Sequence, residues 1–226
     1  AYKDPRTSNV REVMMGDIVE TGENEVMLSL KILAHAPLER VEIRNGSEVY
    51  NIHRSFDASD LGSHFRVIWS GAEYRGRGWQ TSWKGRADFQ HCRILKMKKI
   101  NVWNHEKRLQ TCGTKSVEWD AVTTGNFGGF DVWLEEGDDA ELDLASNHGS
   151  LRIPLNQIDL EDHVLDAGGL ERQIRFFRLP EINPHREIEH HLRIPLKPNQ
   201  ENPIWVCITT EDGFQAWSSP IFVIPL

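Results

Sequence analysis

Helical periodicity, long apolar runs, paired cysteines and an excess of positive charge are all missing from this sequence, and each absence removes a class of protein. No stretch approaches the ~20 consecutive apolar residues that a membrane-spanning helix needs, so no membrane partner is expected. The net charge is −8, the wrong sign for a surface that neutralises phosphates, and nucleic acid is not expected as a partner either. Three widely spaced cysteines, Cys92, Cys112 and Cys207, give neither a disulfide framework nor a zinc ribbon. Their usage leaves the compartment open and fits a reducing one, such as the cytoplasm. Catalytic signatures are absent too. There is no G-x-S-x-G elbow, no phosphate loop with Lys and Ser/Thr opening a helix, and no HxH pair.

What is present is period-two alternation, interrupted by Gly, Asn, Asp and Pro, over 226 residues. In "EVMLSLKIL" the residues Val26, Leu28, Leu30 and Ile32 face one way and Met27, Ser29 and Lys31 the other. Asn45-Gly46 and Asn147-His148-Gly149 are hairpin turns by their tolerance of positive φ. The one stretch with helical potential, "LNQIDLEDHVLDAGG", holds a single turn. About a dozen short strands without helices imply an all-β protein of sheet packed on sheet.

The last strands, "IWVCITT" and "AWSSPIFVI", need a sheet to receive them, because a lone hairpin is marginal in water. The N-terminal meander is short of strands for a sandwich of its own. The two ends are therefore expected to build one immunoglobulin-like β-sandwich, residues 1–63 plus 197–226, with Trp217 buried in it. Residues 64–196 form an inserted second β-sandwich domain, and "IPLKPNQENPIW" is the return linker.

The cluster that invites a ligand is "YRGRGWQTSWKGR". Tyr74, Trp79 and Trp83 with Arg75 and Arg77 combine flat aromatic faces with cations, a surface suited to a sugar ring or an anion. The bland reading is that Trp83 is core and the arginines bury their stems along a sheet. Glu135, Glu136, Asp138 and Asp139 are expected at a hairpin tip. His190 shares an apolar strand face with Ile188, Leu192 and Ile194, as a hydrogen-bonded core histidine would, and its neighbour His191 points the other way, so the two cannot easily chelate one ion.

Several strings, among them "VEWDAVTTGNFGGFDVWLEEG", "GSLRIPLNQIDLEDHVLDAGGLERQIRFFRLPEINPHREIE" and "ITTEDGFQAWSSPIFV", resemble the C-terminal half of a bacterial family catalogued as domain of unknown function 3604. The resemblance runs through nearly the whole chain. It implies an N-terminal catalytic domain similar to the polymerase-and-histidinol-phosphatase (PHP) superfamily of metal-dependent phosphoesterases, followed by a β-rich tail. None of that domain's metal ligands maps onto this sequence. The expected function is therefore a non-catalytic accessory region that docks on the catalytic domain, shapes its entrance or self-associates. No cofactor is expected in this chain, and a divalent metal only in the catalytic domain. A carbohydrate-binding module and an independent metal-dependent hydrolase are the alternatives.

Overall fold

The computed structural model describes residues 12–76, 80–103 and 108–226. It is all-β, with two single 3-10 turns at Ala58–Asp60 and Leu155–Gln157 and no α-helix among the described residues. The first strands are β1 (Ile18–Thr21), β2 (Glu25–Leu33), β3 (Leu38–Asn45), β4 (Glu48–His53), β5 (Leu61–Ala72) and β6 (Thr81–Ile100). Next come β7 (Arg108–Cys112), β8 (Ser116–Thr123), β9 (Gly128–Ser146), β10 (Gly149–Pro154), β11 (His163–Asp166) and β12 (Leu170–Pro180). The chain closes with β13 (Glu187–Pro195), β14 (Asn202–Thr210), β15 (Gln215–Trp217) and β16 (Ile221–Pro225). Two compact units result, Ala1–Ser55 with Asn183–Leu226 and, between them, Phe56–Ile182.

The first unit has two layers. One sheet runs β1-β16-β14-β3-β4 with β15 beside β14, and the other pairs β13 with β2. Leu30 and Ile32 of β2 and Ile188 and Ile194 of β13 meet Val41, Ile43, Ile204, Val206 and Val223 of the larger sheet in one aliphatic core. β1 runs parallel to β16, pairing Val19 with Val223. Buried Asn202 ties the turn before β14, its amide donating to the carbonyls of Lys197 and Gln200 while its oxygen accepts from Lys197 N–H and Asn45.

Two expectations are corrected here. The chain leaves the first unit after residue 55, not 63, and returns to it at 183, not 197, because β5 starts at Leu61 in the second sheet and the alternating strand β13 joins β2 and spends its apolar face on the first core. "IPLKPNQENPIW" is accordingly a connection inside this unit. Trp217 is not core either. It stands opposite Cys207, on the face away from Ile204 and Val206, and is 61 % exposed.

The second unit is one curled sheet, β11-β12-β5-β9-β6-β8-β7, with β10 beside β9. β6 and β9 span 20 and 19 residues and pair along their length. Midway, Gln90 faces Glu141 but Cys92 faces Glu136, so residues 137–140 oppose His91 alone. His91 and Asp139 both take φ of 56°, and a Cβ on Gly137 would stand 2.6 Å from the His91 carbonyl oxygen. This bulge bends both strands and folds the sheet over itself. Trp69, Phe130 and Phe176 from one limb then meet Trp83, Trp119 and Leu144 from the other. The acidic run at residues 135–139 thus lies in mid-strand at a bend rather than at a hairpin tip.

Candidate functional site: an aromatic outer sheet face

Of the aromatic–cationic cluster read from the sequence, the structure describes Tyr74, Arg75 and Trp83. Trp83 points into the second core, 0 % exposed, and its indole donates to Thr123 Oγ1 at 2.9 Å. Alternation sends Lys84 and Arg86 to the opposite face. There Lys84 pairs with Asp120 at 3.3 Å, and Arg86 binds Asp88, Glu118 and Ser116. Tyr74 and Arg75 are exposed after β5, and Arg77 and Trp79 lie outside the described residues. His190 does sit on the apolar face of β13, half-buried, with its ring stacked on His53. His148 occupies its expected turn and meets the Ser82 carbonyl at 2.8 Å. Among the described residues, no group of three His, Cys, Asp or Glu side chains is placed to hold a metal ion.

A buried polar group of the second unit has the residue types of a catalytic site but not its openness. Arg66 donates to both Asp131 oxygens, at 2.7 and 2.9 Å, and His64 Nε2 lies 3.4 Å from Oδ2. His64 Nδ1 faces the Pro180 carbonyl at 3.2 Å, its ring stacks on Trp133 at 4.1 Å, and Lys96 Nζ lies 4.2 Å from the same indole. Burial opposes ionisation of Asp131, but the Arg66 charge and hydrogen bonds, aided by His64, outweigh it and hold the carboxyl at about 2. Both carboxylate oxygens are engaged within the network, which makes it a structural element.

The surface with binding character is the outer face of the six-stranded sheet. Ile204, Val206 and Ile208 of β14 face the core, so Pro203, Trp205 and Cys207 face outward. Across the ladders, Arg44 stands opposite Trp205, Glu42 opposite Cys207, and Phe222 opposite Pro203 and beside Ile18. Val49 and Ile52 of β4 extend the row, opposite Arg44 and Glu42. Trp217 and Ile18 stand 61 % and 50 % exposed, while Trp205 and Phe222 are half-buried.

The polar groups of this face are engaged with one another and with the backbone. Glu42 Oε2 accepts from Arg44 Nε at 3.0 Å and Nη2 at 2.6 Å. The guanidinium lies 5.4 Å from the Trp205 ring, and Trp205 Nε1 donates to the Gly46 carbonyl at 2.8 Å. The result is an apolar surface with one satisfied ion pair set in it. It offers stacking and dispersion contacts.

Sequence reasoning missed this face because it placed Trp217 in the core. The signal was the phase of β14. Its β-branched aliphatics fall on even positions, leaving Pro203, Trp205 and Cys207 together on the other side. Neither a family model, a curated protein nor a solved structure matches this chain.

Proposed function

We propose that this chain is a non-catalytic accessory region, immunoglobulin-like in its first unit, that docks on a PHP-like metal-dependent hydrolase domain through the outer face of its six-stranded sheet. The resemblance supplies the partner. The exposure of Trp217 beside Trp205, Phe222 and Ile18 on an ordered sheet carries the docking reading. A contiguous apolar face of this kind is a common mark of an interaction surface, and an aromatic with an Arg nearby is the usual makeup of an interface centre.

The test is hydrogen exchange on the chain alone and on the chain fused behind a PHP-like domain of the resembled family. The expected result is added protection at residues 42–44 and 215–217 in the fusion, lost when Trp217→Ala and Arg44→Glu are combined. Identical exchange in both proteins would overturn the proposal. A second reading rests on the same indole, since an exposed Trp on a sheet face also suits a sugar ring. Isothermal titration against glycans decides it, and heat with one sugar class that vanishes in Trp217→Ala would favour a carbohydrate-binding module.

A further inference from the structure

The two layers of the first unit are fastened at one edge by a pair of histidines. β4 ends the six-stranded sheet and β13 belongs to the two-stranded one, yet the rings of His53 and His190 lie 4.0 Å apart between centroids, 22° from parallel. Alongside them, the Tyr50 hydroxyl donates to the Arg193 carbonyl at 3.2 Å. Two points therefore hold the edge strand β4 against β13. Near-parallel imidazoles cannot both aim an in-plane lone pair at one ion, so the pair is a stack and not a chelate.

The surroundings of the stack are mostly apolar. His53 stands opposite Val41 of β3, and His190 opposite Leu30 of β2, between Ile188 and Leu192 on its own face. The charged groups on the surrounding strands include Arg54, which follows His53, and carboxylates already paired. Glu39 of β3 binds Arg40 at 2.8 Å. On the other face of β13, Glu189 lies 3.7 Å from His191, whose second nitrogen meets Ser29 Oγ. Lys31 of β2 shares that other face. Farther along the edge, Glu48 of β4 pairs with Lys197 at 2.7 Å. No carboxylate in these pairs is placed to neutralise two stacked cations.

We propose that the His53–His190 stack is an acid-released clasp, neutral rings holding β4 against β13 and protonation driving the edge strand away from the second layer. Burial, and then the charge of His190, lower the His53 pKa below the ordinary imidazole value of 6.5. The sign follows from linkage. With its folded value below its unfolded one, His53 takes up a proton more readily once β4 is released, so the clasp is firm above 6.5 and weakens as pH falls below it. Release of β4 would also withdraw Val49 and Ile52 from the outer face, although the clasp itself does not depend on what that face binds.

The experiment is an NMR titration of the full chain between pH 7.5 and 5. It follows the His53 and His190 ring signals together with amide protection factors in β4, β14 and the second unit. Expected are a His53 midpoint below the ordinary one and a loss of protection confined to β4. That loss should be about tenfold for each pH unit separating the folded from the ordinary midpoint. In His190→Gln the His53 midpoint should rise and the pH-dependent loss in β4 should shrink, with the reciprocal His53→Gln variant reporting on His190. Wild-type β4 protection that is the same at both ends of the range would overturn the proposal. So would a His53 midpoint unmoved by removal of its partner.

Discussion

The two units build their cores from different residue types. In the second, Trp69, Trp83 and Trp119 are all core, Trp69 and Trp119 stacking at 5.5 Å. In the first, the core is Leu, Ile and Val, while Trp205 and Trp217 belong to the outer face. The difference follows from sheet geometry. A single sheet folded at the β6–β9 bulge brings two concave limbs together and leaves room for indoles. Glycines face those indoles, so that a Cβ on Gly85 or Gly128 would stand 2.3 Å from Trp119 or 2.7 Å from Trp69. The first unit closes a six-stranded layer with only two strands, a narrower space that aliphatic side chains fill. An indole is therefore informative about function here only after its face is known.

The widest way to separate the units is to delete residues 200–226. β14 is bonded to β3, β15 and β16, and its loss should abolish amide protection across the first unit while leaving that of the second. Retained protection in β2 and β3 would show that the first unit does not need its last strands. Next in size, Trp69→Ala should destabilise the second unit by roughly 3–5 kcal/mol, the usual cost of emptying a buried aromatic site. Denaturant unfolding followed by signals from each unit should show only the second transition moving.

Acid should order the units differently. The folded Asp131 value of about 2 lies below the unfolded 3.8. The stabilisation from its pairing with Arg66 is therefore complete above pH ~4 and disappears as pH falls toward 2. His53 acts at higher pH, from 6.5 downward, and its sign makes β4 of the first unit loosen first. An acid titration by circular dichroism and NMR would sharpen the contrast, and Asp131→Asn should remove the low-pH component from the second unit alone. The smallest effect is expected from Trp217→Ala, within about 0.5 kcal/mol, because an exposed side chain away from caps, charges and cores contributes little. A loss of several kcal/mol on chemical denaturation would return Trp217 to a core role.

The strands were legible wherever alternation was regular. Val26, Leu28, Leu30 and Ile32 of β2 face the core; the turn into β4 is Gly46-Ser47, one residue later than Asn45-Gly46, and Asn147-His148 turns β9 into β10, with Gly149 already paired in β10. What alternation cannot carry is the identity of a strand's neighbour. Residues 187–195 are equally strand-like in either unit, and only the pairing of Ile188 and Ile194 with Ile32 and Val26 assigns them. Bulges erase the signal altogether. At residues 137–140 a strand continues through Gly and two Asp residues, which are turn residues by composition, because His91 across the ladder absorbs the extra length. The candidate face was hidden for a related reason. Hydrophobicity marks a residue as able to be buried, and only the phase of its strand tells whether it is.

The parallel neighbours β1 and β16 have a consequence for biosynthesis. A ribosome delivers β1 through β4 early, but the strands that complete their sheet emerge only after the whole 56–182 segment has been made. At about 5–20 residues per second, the early strands wait several seconds or more with their apolar sides uncovered. Meanwhile the intervening unit can collapse and bring its two ends together, shortening the gap that the late strands must close. Nascent chains halted before residue 200 should therefore be clients for a holdase, whereas released full-length chains should not.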